Sequence, residues 1–437
     1  MAKSARAVAL DELVRWETAG EWDNRRFSLS IANAGLDRRD AALATFLAGG
    51  VIQNRILIDR WLAQFSKMPL AKLERRVLMA LRLGAFQLFF ADSIPKHAAV
   101  GETVALMSGK DRRSAGFVNA ILRAVAKVDD PFAFDARDEI ERLSIRYSHP
   151  EWIVRELVGR KGLERAEAEL SANNCAPPTT LRVNTRTTDR ASLIAELSAD
   201  GAEVSEGIIS SAVTVVGGGD VAELKGYREG KFWVQDVSSQ LAVAALSVAD
   251  GMSVLDLCAA PGGKSFGAAC DGGEVTSNDL TERKTELIRD GARRLGFDIE
   301  VSTRDGREPC DEWLGAFDRV ICDAPCSGLG IIRKKPDIRY KSERDVEKLP
   351  ELQLELLQSA AKCVKNGGKL LYSTCTWRKE ENEGVVEAFF AKHPEFSSKD
   401  FVLPNNQGES ENGMTTFWSE KNDRDGFYVC IMERKDV

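Results

Sequence analysis

Two cysteines carry the clearest chemical signal in this 437-residue chain. Cys326 lies in DAPCSG, residues 323–328, and Cys375 in STCTW, residues 373–377. Each follows a short apolar run that reads as a strand, FDRVIC at 317–322 and KLLYST at 369–374. Both thiols are therefore expected at carboxyl ends of strands, where open α/β sheets place their ligand crevices. Cys322, inside its run, has the placement expected of a structural cysteine. A thiolate in such a crevice is a nucleophile that can split one difficult step into two easier ones. A free thiol ionises near ~8.5, so a neighbouring cation or dipole must help it.

The loop LCAAPGGKS, residues 257–265, lies between an expected strand, SVLDLC at 253–258, and a helix. Its Gly263-Lys264-Ser265 ending matches the close of a phosphate-binding loop. That motif requires glycine six positions before the lysine, and position 258 is Cys. Pro261 stiffens the interior, and there is no GxGxxG. The loop still has the form of a cofactor cradle, since glycine lets a ligand approach the backbone and a helix N-terminus accepts a carboxylate as readily as a phosphate. Asp279, ending the second expected strand, is suited to a ribose diol and would repel a phosphate. Asp305, in TRDGR after the third strand, is placed to reach an adenine amino group. A ligand with ribose, carboxylate and no phosphate satisfies these demands, and S-adenosylmethionine is one. Any one of these acids is as readily a helix cap or turn residue, but three at successive strand ends, Asp256, Asp279 and Asp305, favour a site.

A methyl donor beside a thiol suggests methylation of cytosine at carbon 5. Thiolate addition to carbon 6 makes carbon 5 nucleophilic, and a base must later remove the carbon-5 proton. The ring N3 must be protonated or hydrogen-bonded meanwhile. Asp323 is placed for that, with burial raising its pKa.

These positions must be held by an α/β element. Strands are expected at 253–258, 274–278, 299–303, 317–322 and 369–374, and helices at 281–295 and 343–365, which is a doubly wound pattern with a parallel sheet. A late hairpin, 414–418 with 426–433, would add antiparallel strands at one edge. Residues 138–230 read as a small α+β unit with strands at 179–185 and in AVTVVG and a helix at 190–200. Within it Arg182 and Asn184 are candidates for RNA contact, and Gly217-Gly218-Gly219 reads as a turn. Residues 1–127 show three- and four-residue apolar spacing throughout and read as all helix. Asp129-Asp130-Pro131 ends that pattern, and PFAFDARD reads as a linker.

Net charge is −7, which argues against bulk nucleic-acid binding. The average hides an asymmetry: residues 1–130 hold 20 Lys and Arg against 14 Asp and Glu, a net +6, leaving −13 on the remainder. A basic front segment suits a local anionic partner, although a solvated helical surface explains the charge equally well. Nine scattered cysteines fit a reduced, cytoplasmic compartment. With no CxxC and only three histidines, no metal site is expected. No apolar run reaches the ~18 residues of a membrane span, and the MAKSARAVALDEL start lacks the apolar region of a signal peptide.

The segments "LRLGAFQLFFADSIPKHAAVGETVALMS" at 81–108 and "GFVNAILRAV" at 116–125 resemble the RNA-binding antitermination factor NusB and its relatives. The motifs "LDLCAAPGGKS", "DAPCSGLGIIRKKPDIRY" and "LLYSTCTWRKEENEGVV", with "FWVQDVSSQLAV" at 232–243, resemble the Sun/Fmu (RsmB-like) family of RNA cytosine-5 methyltransferases over residues 140–437. This resemblance implies three domains: a NusB-like helical bundle (1–130), a small α+β RNA-binding unit (138–230) and a Rossmann-like methyltransferase domain (231–437). It implies S-adenosylmethionine contacts from Cys258, Ala259, Ala260, Pro261, Gly262, Gly263 and Lys264, and from Asp279, Asp305 and Asp323. It implies Cys375 as nucleophile and Cys326 as the thiol assisting product release. DNA cytosine methyltransferases use the Pro-Cys thiol as nucleophile, so Cys375 marks the RNA branch. The basic stretch Arg333-Lys334-Lys335 is expected beside substrate phosphates. The implied substrate is 16S rRNA and the implied state a monomer. Rival expectations are a tRNA cytosine-5 methyltransferase, a nucleotide-dependent ATPase, and a non-enzymatic RNA-binding assembly factor.

Overall fold

The computed structural model describes residues 3–107, 109–216, 221–420 and 424–436. The Gly217-Gly218-Gly219 turn lies outside them. The chain divides into two compact units, residues 1–174 with 335–340, and residues 175–334 with 341–437.

The first unit is helical. Its helices span 5–19, 24–34, 38–53, 55–65, 75–90, 96–105, 115–125, 139–147, 151–161 and 163–172. Short polar side chains set the starts: Asp37 accepts from the Asp40 amide, and Asp138 from the Glu141 amide. The helix at Arg75–Phe90 is central, with every residue from Val77 to Gln87 buried. Its one buried charge, Arg82, donates to both oxygens of Asp59 at 2.7 Å and to Glu17 at 3.2 Å. Burial alone would lower its pKa, but these carboxylates raise it. Helices 139–147, 151–161 and 163–172 pack with this unit, so the contact boundary falls at Asn174, later than the composition break at 129–131.

Residues 335–340 also belong to this unit. Pro336–Tyr340 forms a 3₁₀ turn packed on helix 38–53. Arg339 is fully buried and donates to the carbonyls of Gln53, Tyr147 and Ser148 and to Asn174 Oδ1, at 2.9–3.2 Å. Tyr340 donates to the Ile52 carbonyl at 2.7 Å. Burial brings the Arg339 guanidinium down to about 10.

The second unit begins with a four-stranded antiparallel sheet. Its strands are β1 (Thr179–Val183), β2 (Val204–Glu206), β3 (Ala212–Val215) and β4 (Phe232–Val234), in the order β2-β3-β1-β4. Helix 190–199 covers it through Leu193 and Leu197, against Leu181, Val213 and Phe232. Here the structure corrects the expectation of RNA contacts from Arg182 and Asn184. Both are buried: Arg182 faces Asp271 at 3.3 Å, and Asn184 donates to the carbonyls of Gly230 and Leu295.

The larger sheet has β5 (Ser253–Asp256), β6 (Glu274–Asp279), β7 (Ile299–Thr303), β8 (Phe317–Asp323), β9 (Val364–Thr374), β10 (Phe396–Ser398), β11 (Met414–Phe417) and β12 (Phe427–Arg434). Its order is β10-β12-β9-β8-β5-β6-β7, with β11 on β12. The five central strands are parallel, and β12 joins β9 antiparallel. Successive side chains alternate between the two faces. Val254, Ile321, Leu371 and Ile431 enter one core, while Leu255, Val320, Leu370 and Met432 enter the other. The chain reverses its order of laying down strands between β5 and β8, the topological switch point at which such sheets open a ligand crevice.

Candidate active site

The crevice at that switch point is built by the loop from β5 to helix 263–270. Leu257 continues the ladder by donating to the Ile321 carbonyl. The Ala259 amide donates to the Asn278 carbonyl, and the Asn278 side chain donates to the carbonyls of Leu257 and Arg304, tying three strand ends together. Gly262 turns the chain with φ 108°, a region that favours glycine, and a Cβ there would lie 2.4 Å from the Phe266 ring. The result is a cleft of about 540 Å³ including its open mouth.

The loop forms one wall through Cys258, Ala259, Ala260, Pro261, Gly263 and Lys264. Asp256, Asp323, Gln235, Asp236 and Ser239 also line the cleft. Asp256 is fully buried, and its Oδ2 accepts from Ser265 at 2.7 Å. Its Oδ1 has no partner among the described residues. Burial raises this carboxyl to about 7. Burial also pushes the Cys258 thiol well above the usual range, so it stays protonated.

Lys264 points from the first helical turn at Asp323, with Nζ 2.5 Å from Oδ2 and 5.0 Å from the Phe427 ring centroid. Its partner is therefore an acid of this chain. The other Asp323 oxygen accepts from Ser373 at 2.8 Å. Beyond these groups the two cysteines meet, with Cys326 Sγ 3.2 Å from Cys375 Sγ. The hydrogen bond with Cys375, together with burial, holds the Cys326 thiol well above the ordinary range. Either sulfur can be the donor in this contact.

The remaining expected residues are placed as follows. Asp279 is buried at the loop, its carboxylate accepting from the Ala260 and Leu280 amides and from Lys284. Asp305 is held by Arg307, at 2.7 Å from Nη2, and that pairing lowers its pKa. Neither belongs to the residues that line the cleft. Arg333 and Lys334 do not form an open basic face. Arg333 is buried 3.3 Å from Asp425, and Lys334 bridges Asp236 at 2.9 Å and Asp425 at 2.7 Å. These ion pairs correct the expectation that both cations lie free for substrate phosphates. Lys335 is exposed and belongs to the first unit.

Sequence reasoning missed Gln235, Asp236 and Ser239 on the cleft wall and Asp425 behind it. A polar run, QDVSSQ, at the head of an apolar helix was the available signal, with Asp236 capping the helix through the Ser238 amide. It also missed Glu381, Asn382 and Gln353, all fully buried beside the cysteine loops.

Among the described residues there is no cluster of side chains suited to a metal ion. Among the described residues no single helix is long and apolar enough to cross a membrane.

Three family models match the chain: the NusB family over residues 3–127, the ferredoxin-like domain of RsmF/B-like methyltransferases over 149–222, and the 16S rRNA methyltransferase RsmB/F over 243–433. The probable ribosomal RNA small subunit methyltransferase B of Bacillus subtilis is 36% identical, covering 99% of each chain. The ribosomal RNA small subunit methyltransferase B of Pseudomonas putida is 34% identical over 90% of this chain and 91% of its own. The crystal structure of PH0851 superposes with a TM-score of 0.84 at 25% identity, covering 99% of this chain and 100% of that one. NSun6 from Pyrococcus horikoshii, solved with SFG, shares the fold at a TM-score of 0.58 and 19% identity, over 65% of this chain and 98% of its own. With a NusB-like helical domain in front of an S-adenosylmethionine-dependent methyltransferase fold, the chain belongs to the RsmB/F (Sun/Fmu) family of rRNA methyltransferases.

Proposed function

We propose that the chain methylates carbon 5 of a cytosine in 16S rRNA, with S-adenosylmethionine as donor. The observation that carries this reading is the pair of thiols 3.2 Å apart beside the Lys264–Asp323 pair. The residues present fit the cofactor. Asp256 Oδ1, buried and without a partner, offers an acceptor for an ammonium group, and the helix beginning at Gly263 offers amides to a carboxylate. The loop 258–264 would hold the amino-acid end, Asp279 the ribose and Asp305 the adenine; the last two must first release Lys284 and Arg307. When bound, S-adenosylmethionine supplies an electrophilic methyl group.

The chain's own residues do the rest. Cys375, as thiolate, adds to carbon 6 of the base. Cys326, holding its proton, donates to the Cys375 sulfur and favours the ionised form. Asp323, held in orientation by Lys264 and Ser373, faces the ring N3. After transfer Cys326, having lost its own proton to solvent, takes the carbon-5 proton as a thiolate, and the carbon 6–sulfur bond breaks so that Cys375 departs as a thiolate.

Substitution of Cys326 by Ala is expected to leave protein covalently joined to RNA, visible as a retarded denaturing-gel band. Substitution of Cys375 by Ala is expected to give no adduct and no product. The reverse pattern would overturn the assignment. Residues 1–130 are proposed to grip the RNA, as their +6 charge and NusB-like sequence support; 138–230 and 231–437 are proposed as the other two domains. A cytoplasmic location is proposed from the nine free cysteines, which suit a reducing compartment.

A further inference from the structure

Two neighbouring buried residues, Glu381 and Asn382, hold the loops that carry the two thiols. Glu381 Oε2 accepts from the Ser327 amide at 2.8 Å and from Gln353 Nε2 at 2.9 Å. The same Gln353 nitrogen donates to the Pro325 carbonyl at 3.0 Å. Glu381 thus clamps the residue after Cys326, and through Gln353 it reaches the residue before it. Asn382 does the same for the other thiol. Its Oδ1 accepts from Thr374 Oγ1 at 2.6 Å, and its Nδ2 donates to the Thr376 carbonyl at 3.0 Å. Cys375 is therefore bracketed on both sides by one amide. A further bond, Ser327 Oγ to Thr376 Oγ1 at 2.8 Å, joins the two clamped residues directly.

The chemistry gives these clamps a purpose. Two thiols whose sulfurs must exchange roles around one base need their separation set to a fraction of an ångström. Their loops leave different strands, β8 and β9, and loops by themselves are imprecise platforms. Glu381 and Asn382 sit side by side in the chain at the start of helix 383–392. Any shift of that turn moves both clamps together and preserves the distance between the sulfurs. A buried carboxylate accepting from an amide makes a strong, charge-assisted bond, which suits a clamp.

We infer that Glu381 is the positioning residue for Cys326 and Asn382 the positioning residue for Cys375. Neither touches substrate in this scheme. The inference rests on the cysteine roles proposed above. Glu381→Gln keeps size but leaves only a neutral oxygen to accept from the Ser327 amide and Gln353 Nε2, so both bonds lose their charge-assisted component. It should slow release of the methylated RNA about tenfold or more and leave the rate of adduct formation nearly unchanged, so that adduct accumulates. Asn382→Asp should slow adduct formation by a similar factor, because Asp cannot donate to the Thr376 carbonyl.

The test is single-turnover kinetics on RNA with purified full-length variants, with Cys326→Ala and Cys375→Ala run in parallel. A merely structural role for Glu381 would lower both steps together. The double variant Glu381→Gln/Cys326→Ala should release adduct no more slowly than Cys326→Ala alone, since Glu381 acts through Cys326. If Glu381→Gln proves unfolded, Gln353→Met, which removes only the donor shared by Pro325 and Glu381, should show the same selective slowing. Equal loss in both steps, or additive losses in the double variant, would overturn the inference. If Cys326→Ala itself traps no adduct, the underlying cysteine assignment fails instead, and the two failures are thereby told apart.

Discussion

Replacing the buried Asp256 by Asn changes one ionisable group and almost nothing else. The carboxyl is fully shielded and bonded only through Ser265 at one oxygen. Burial raises it from 3.8 to about 7; Ser265 and Lys264 oppose the rise, and Asp323 and Asp279 add to it. In the unfolded chain it titrates as an ordinary carboxyl. The native state therefore keeps a proton that the unfolded chain gives up. An acid of this kind contributes stability while protonated and loses it as pH climbs from about 4 to about 7. The difference corresponds to about 4 kcal/mol at full ionisation, a large share of the ~5–15 kcal/mol that holds a typical domain together. Asn keeps the acceptor for Ser265 and cannot ionise. Urea unfolding of the full-length wild type and Asp256→Asn, free of ligand, would be followed by amide exchange in β5 and β6. That readout isolates the opening that exposes residue 256. The stability of the variant relative to wild type should rise by about 2.5 kcal/mol between pH 5 and pH 8. Comparison of the two proteins cancels other titrations, such as that of Asp425, which burial raises to about 6. A difference that stays flat within about 0.5 kcal/mol over that range would refute the burial argument.

Lys264→Met removes the cation paired with Asp323. Methyl transfer should fall about a hundredfold or more with RNA affinity kept, and single-turnover rates near wild type would exclude the proposed Lys264–Asp323 unit. At Gly330 a Cβ would lie 2.0 Å from the Gly426 carbonyl oxygen, while the Gly330 amide donates to the Cys375 carbonyl at 2.9 Å. Gly330→Ala should therefore cost about 2–4 kcal/mol in chemical denaturation, and a neutral result would mean that the backbone contact between 330 and 426 yields freely. Arg25, Arg38 and Arg39 are exposed on the helical unit. Changing all three to Gln should reduce the slope of log Kd for RNA against log salt by roughly 2–3, and an unchanged slope would place the RNA elsewhere.

Much of this architecture is legible in the sequence, because buried parallel strands are continuous apolar runs bounded by polar residues. FDRVIC and KLLYST appear as β8 and β9, and both cysteines stand just past them. The differences are instructive. The helix expected over 343–365 is broken into 343–346 and 349–363, with Pro350 in the first turn of the second. Proline has no amide to donate and is tolerated at a helix start, so a new helix begins there. Strand β9 begins at Val364, directly after that helix, through a polar stretch that apolar patterning cannot register. The site is legible where its residues are neighbours in sequence, as in the 258–264 loop. It is illegible where partners are distant. Arg333 and Lys334 look like a surface run until Asp236 and Asp425, each about ninety residues or more away, close around them. The Glu381–Asn382 clamps are hidden for the same reason, since an EEN triplet reads as a solvated helix start.

The turn at 335–340 bears on how the protein is made. The helical unit is encoded almost entirely in the first 174 residues, yet its own interior includes Arg339 and Tyr340. On a ribosome that adds ~5–20 residues each second, those first helices emerge well before the piece that completes them. During that interval the carbonyls of Gln53, Tyr147 and Ser148 lack the guanidinium that later satisfies them. Final consolidation of the front of the molecule thus waits on a stretch translated only after Cys326. An N-terminal fragment cut at residue 174 should remain looser than the same helices within the whole chain, and gene fusions that exchange the front unit must carry 335–340 with it.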